Sequence, residues 1–126
     1  MTKKIEAIIR EEKLNDVKGA LQQAGFVGMN VTECRGHGRE GGIELVGRSG
    51  TYKIDLLPRV QINMVLSDHN VDTAIETICQ AARTGSIGDG LIFVYPVEDV
   101  IRIRTGERGR EALKYPDDID ARAPVR

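Results

Sequence analysis

Apolar and polar residues alternate from Lys3 to Arg10, with Ile5, Ala7 and Ile9 on one side and Glu6, Ile8 and Arg10 on the other. Period two is the mark of a half-buried strand. From Leu14 the period changes. Val17, Ala20, Leu21 and Ala24 fall at i, i+3, i+4 and i+7, which predicts a helix over 14–24. Asn15 or Asp16 is suited to its N-cap, and Gly25 stands where a C′ glycine belongs. Met29–Arg35 is β-branched and extended, a second strand. Val60, Ile62, Met64 and Leu66 alternate with Gln61, Asn63 and Val65, a third. Ser67-Asp68 offers a cap to a second helix over about 70–83, whose apolar stripe is Val71, Ala74, Ile75, Ile78 and Ala82. Thr84–Gly90 reads as a glycine-punctuated turn. Leu91–Val97 is nearly all apolar, the pattern of a strand covered on both faces.

The order β-α-β-β-α-β predicts an α+β, ferredoxin-like fold. Two helices cover one face of a four-stranded sheet. The other face carries Ile and Val, so it is expected to meet another subunit. Gly36 to Arg59 is far longer than a hairpin turn requires, and loops beyond about 12–15 residues in a small domain are usually functional. Two readings fit it: an exposed, partner-facing loop, or a long hairpin pairing Ile43–Val46 with Thr51–Leu56 across Gly47-Arg48-Ser49-Gly50. Beyond Gly106 the chain is charged and aperiodic, with Pro116 and Pro124, and reads as a tail that is partly disordered or lies over the surface.

With 126 residues the chain forms one domain. Its formal net charge of −1 argues against a nucleic-acid or membrane-surface protein. It has neither a bilayer-spanning apolar run nor an N-terminal export signal. The two cysteines, Cys34 and Cys79, lack metal-ligand spacing and read as reduced, buried thiols of a cytoplasmic protein.

Three pieces invite a phosphate. In Thr84-Gly-Ser-Ile-Gly-Asp-Gly90, close glycines allow backbone N–H groups to turn inward as an anion nest, with Asp89 suited to a ribose or base. A simple helix-to-strand turn fits the same residues. Arg102 and Arg104, one residue apart in an extended segment, would point the same way, and paired guanidinium forks bind phosphate. Gly36-His-Gly-Arg-Glu-Gly41 matches G-x-G-x-x-G but opens no helix, so the dinucleotide reading lacks its context. His37 and His69 are isolated, and no nucleophile–base pairing is visible. The central strands lack the stacking aromatics of an RNA-binding sheet.

Taken together, Thr84–Gly90 with Ile92-Phe93-Val94, Val100-Ile-Arg-Ile-Arg-Thr-Gly-Glu107, Lys4–Arg10 and Val31-Thr-Glu33 closely resemble the nitrogen-regulatory PII signalling family. The similarity spans about residues 3–108. It implies a non-enzymatic homotrimer with nucleotide sites in the clefts between subunits. Residues 1–108 would be the PII-like domain, with a T-loop at about 37–55, a B-loop at about 84–91 and a C-loop at about 102–108, followed by a tail at 109–126. Gly36, Gly38, Arg39, Val65, Thr84, Gly88, Asp89, Gly90, Arg102 and Arg104 match the family's nucleotide-contact positions. The implied ligands are ATP or ADP, with AMP as a further candidate, Mg²⁺, and 2-oxoglutarate at the T-loop base. Tyr52 falls at the tyrosine that some relatives have uridylylated. The implied partner is a target protein met through the T-loop: an ammonium channel, another transporter or a metabolic enzyme, with membrane contact only through a channel.

Three positions depart from the family's usual residues. Glu40 stands for a Gln that helps hold the metal and frames the oxoacid; it can still ligate Mg²⁺ but repels a dicarboxylate. Arg59 stands for a Lys that pairs with 2-oxoglutarate, replacing a point charge by a planar fork. Leu91 stands for a Lys that reaches the nucleotide phosphates. Glu40 and Leu91 support an alternative within the family, a divergent paralogue responding to ADP or AMP and another small anion, for example bicarbonate, in carbon or nitrogen fixation. A nucleotide-hydrolysing enzyme is the reading from another class, and Leu91 removes the phosphate lysine it needs.

Overall fold

The computed structural model describes residues 1–37, 43–48, 50–54 and 56–121. Six strands and three helices follow in the order β1 (Thr2–Arg10), α1 (Leu14–Gln23), β2 (Asn30–Gly36), β3 (Ile43–Gly47), β4 (Gly50–Ile54), β5 (Leu57–Ser67), α2 (Val71–Ala82), β6 (Gly90–Val97) and α3 (Arg110–Leu113). The main sheet has the order β2-β5-β1-β6 and is antiparallel throughout. With α1 and α2 on one face, this is the ferredoxin-like arrangement.

Register explains why the alternation matters. Ile5 pairs with Met64, Ala7 with Ile62 and Ile9 with Val60, so the buried sets of both central strands share a face. Val17 and Leu21 of α1 and Ala74 and Ile78 of α2 close over that face, with Phe26 at its edge. Phe26 is placed by the end of α1. Gly25 adopts φ 99°, its N–H donates to Gln22 O at 3.1 Å, and Phe26 N–H reaches back to Leu21 O at 2.9 Å. That is the Schellman stop, with its usual apolar contact between the residue after the glycine and the last turn.

The helix starts differ from expectation. Neither Asn15, Asp16 nor Ser67 supplies a side-chain cap. Instead 3₁₀ turns at Glu11–Lys13 and Asp68–Asn70 lead directly into α1 and α2. Tight i→i+3 bonds there serve the helix's early N–H groups without a side chain.

Two further expectations are corrected. β6 is not covered on both faces: it lies at the sheet edge, and Leu91, Phe93, Val94 and Tyr95 are exposed. The cysteines are free but half-buried rather than buried. Of the two readings of the tail, the second holds as far as Ala121: it lies over the surface, pinned by a few buried residues. Ala112, Leu113, Asp118 and Asp120 are all buried. Asp120 accepts from Ser67 N–H and Asn70 Nδ2, and Asp118 from Val27 N–H. A run of charges looks solvated in sequence because its acceptors' backbone partners are distant in the chain.

Of the two readings of the 36–59 stretch, the structure contains the hairpin. β3 pairs with β4 as a separate two-stranded sheet, Ile43 opposite Ile54 and Gly47 opposite Gly50.

Candidate functional site

The turn joining α2 to β6 is held by its own carboxylate. Asp89 accepts from Thr84 N–H at 2.8 Å, Gly85 N–H at 2.9 Å and the Thr84 hydroxyl. Arg10, the last residue of β1, donates to Asp89 at 3.2 Å and to Ile87 O at 3.0 Å. The Thr84 hydroxyl and N–H, then the Gly85 N–H and Arg10, hold the Asp89 carboxyl well below its ordinary value. The first two N–H groups of the expected anion nest are therefore turned onto Asp89. An incoming phosphate would have to use what the rest of the turn presents.

Three glycines allow the path, Gly85 (φ 91°), Gly88 (φ 106°) and Gly90 (φ 111°). At Gly90 a Cβ would lie 1.8 Å from Ile8 O, so no other residue fits against β1. Leu91 follows on the outer face, 65% exposed, and lines a shallow apolar groove with Ile8, Cys79 and Ala82.

Arg59 lies across from Arg10, one strand further from this turn. It is the cross-strand partner of both Arg10 and Cys34, and Gly36 lies against its side chain. Gly36, Arg59, Arg10 and the 84–90 turn therefore gather at one end of the main sheet. Val65 is elsewhere, opposite Lys4 near the other end of β5, half-buried. Gly38, Arg39 and Glu40 lie outside the described residues, as does the side chain of Tyr52. Among the described residues, no group of His, Cys, Asp or Glu is placed to hold a metal ion.

Arg102 and Arg104 do not form the parallel pair expected of an extended segment. Ile101 bridges to Arg108, and residues 103–105 form the tip of a tight turn, closed by Arg102 N–H to Glu107 O and Gly106 N–H to Arg102 O. Arg104 is exposed. Arg102 is folded inward, onto Glu107 at 3.0 Å and the carbonyls of Ala112 and Lys114. Thr-Gly in a charged run is a turn signal, and here it overrides the alternation around it.

These two arginines also sit at the wrong end for a one-chain site. β6 starts at Gly90, opposite Ile9, and ends at Val97, opposite Thr2. The segment carrying Arg102 then packs where β5 ends, on residues anchored at Ser67 and Asn70. At about 3.3 Å per residue, an eight-residue strand puts roughly 25 Å between the two turns. One small anion cannot touch both within a single chain.

Sequence reasoning missed Arg10, because only the β1–β6 pairing brings it to a turn 79 positions away. It also missed a polar cluster on the outer sheet face. Tyr95 donates to Glu6 at 2.8 Å, Gln61 bridges Glu6 and Asn63, and Lys4 lies over the Tyr95 ring. Glu6 and the burial of the hydroxyl push the Tyr95 phenol up.

The family model described as nitrogen regulatory protein P-II matches residues 2–107. The chain is 55% identical over 111 residues to nitrogen regulatory protein P-II 2 of Methanothermobacter thermautotrophicus, covering 88% of this chain and 96% of that one. It is 54% identical over 111 residues to nitrogen regulatory protein P-II of Azospirillum brasilense, covering 88% and 99%. The crystal structure of Arabidopsis thaliana PII bound to citrate superposes with a TM-score of 0.72 at 40% identity, over 88% of this chain and 91% of that one. With the family model matched over residues 2–107 and relatives more than half identical along nearly their whole length, the chain belongs to the P-II nitrogen regulatory family.

Proposed function

We propose that the protein is a homotrimeric, cytoplasmic signalling regulator that binds adenine nucleotide between subunits and reports its occupancy through the 37–55 segment. The observation that carries this reading is the separation of the two half-sites. The turn at 84–90 and the arginines at 102 and 104 lie at opposite ends of one sheet. A second copy brings one chain's Arg104 turn against another's Asp89 turn, which gives both a shared ligand. The outer sheet face supports the assembly, because Ile8, Leu91 and Phe93 are apolar and face away from the helices. Nucleotide occupancy biases the arm by binding its conformers unequally. Its target is a transporter or an enzyme of nitrogen metabolism.

Leu91 and Arg59 favour a second reading within the same family. An exposed leucine at the head of β6 adds nothing to the binding of outer phosphates. A planar guanidinium at 59 suits a small planar anion better than a flexible ammonium does. This version responds to ADP or AMP and to an anion such as bicarbonate rather than to 2-oxoglutarate.

Calorimetric titration with ATP, ADP and AMP, each with and without 2-oxoglutarate and Mg²⁺, tests both. Synergy between Mg-ATP and 2-oxoglutarate supports the first; ADP or AMP binding indifferent to the oxoacid supports the second. Steady release of phosphate would replace both by a hydrolase. Arg104→Ala is expected to weaken nucleotide binding by about 1.5–3 kcal/mol, the worth of a charge-assisted contact. An unchanged dissociation constant removes Arg104 from the site.

A further inference from the structure

The family match ends at residue 107, and most of what holds the Arg102 guanidinium comes after it. Nη2 donates to Lys114 O at 2.8 Å and Ala112 O at 3.1 Å, with Glu111 O at 3.5 Å. Glu111 O already accepts the Lys114 N–H, whereas the Ala112 and Lys114 carbonyls lie at the C-terminal end of α3, where a cation serves them well. Tyr115 completes the grip, its ring centroid 5.2 Å from the guanidinium carbon. Among the described residues of the family-matched part, only Glu107 contributes, at 3.0 Å from Nη1.

The far end of the same segment is fastened to the core. Asp120 takes Ser67 N–H at 3.2 Å and Asn70 Nδ2 at 2.6 Å; Asp118 takes Val27 N–H at 3.0 Å; Ile119 N–H donates to Gly25 O at 2.7 Å. Residues 110–121 are thus a strap, anchored at Asp118–Asp120 and closed at Arg102.

A guanidinium has a fixed set of planar donors. Those on Nη2 cannot serve three carbonyls and a phosphate together. Phosphate makes the stronger bond, because both partners are charged. The closed contact is therefore one that an anion can displace, at some loss of affinity. We propose that the strap is an autoinhibitory latch: residues 110–115 compete with the bound anion for Arg102, and anion binding frees them. The latch rests on the reading of Arg102 as an anion ligand. It adds a second output to the protein, a C-terminal segment whose release follows occupancy.

The experiment uses the full chain as wild type, Tyr115→Ala and Asp120→Ala, with ATP and ADP titrated calorimetrically and hydrogen exchange followed over 110–121. Tyr115 is 45% exposed, so its loss leaves the core intact. Removing the ring contact should tighten nucleotide binding roughly two- to fivefold. Asp120→Ala should do the same by loosening the anchor. Saturating nucleotide should accelerate exchange across 110–115 in the wild type. Equal dissociation constants in all three chains, with exchange unchanged by nucleotide, overturn the latch and leave the nucleotide reading standing. Absence of binding in all three overturns that reading and the latch together.

Discussion

Gly90 and Gly85 both adopt positive φ, yet they constrain the chain for different reasons. At Gly90 an added methyl meets the backbone oxygen of Ile8 at 1.8 Å, and neither strand can yield without losing the β1–β6 pairing. At Gly85 nothing lies within 4 Å, so substitution incurs backbone strain alone. Gly90→Ala is expected to lower the unfolding free energy by about 3 kcal/mol or more, and Gly85→Ala by about 1 kcal/mol. Denaturant titration of the two variants measures the difference; equal losses would show that the contact with Ile8 is not what fixes position 90. Glycine at both places is visible in the sequence. Which one is irreplaceable is not, because the obstructing atom lies on a strand 82 positions earlier by number (90 against 8).

At the scale of the element, the 84–90 turn is a carboxylate collar, and this gives it a pH dependence. Thr84, then Gly85 and Arg10, depress the Asp89 pKa below its ordinary 3.8. A depressed carboxyl stabilises the fold fully above its unfolded value and loses that contribution as pH falls through its folded one. The turn should therefore hold at neutral pH and loosen only in acid, below the ordinary carboxylate range. Asp89→Asn keeps the size but loses the charge. Its unfolding free energy should be lower at neutral pH and should change less on acidification than that of the wild type. A variant with the wild-type acid profile would mean that other carboxylates govern it. The same scale shows where patterning misleads. The apolar run of β6 signals cover on both faces, and in the single chain it is an exposed edge. Its composition suits the subunit contact proposed for this face.

For the whole molecule the decisive fact is distance. The collar and the arginine turn are separated by the length of β6, so a common ligand demands two chains. Phe93 lies on the outer face opposite Glu6, 39% exposed and amid Ile8 and Leu91. Phe93→Glu should place a charge in the proposed subunit contact while sparing the helix-side core. Light scattering after gel filtration should then give the mass of one chain, with the far-ultraviolet dichroism of the wild type retained. An assembly of unchanged mass would move the interface off this face.

The sequence by itself determined the strands and helices that carry strong periodicity, because period two and period 3.6 record which side of an element avoids water. It also determined the family, through the blocks at 84–94 and 100–107. Tertiary structure alone decided that Arg10 grips Asp89, that Arg102 turns inward onto a tail, and that Asp118 and Asp120 are buried. Arg10 and the two aspartates meet partners far apart in the chain, and Arg102 meets carbonyls that lie beyond an intervening turn. Polar side chains carry no periodic imprint of their partners, so only the folded backbone can bring such pairs within reach.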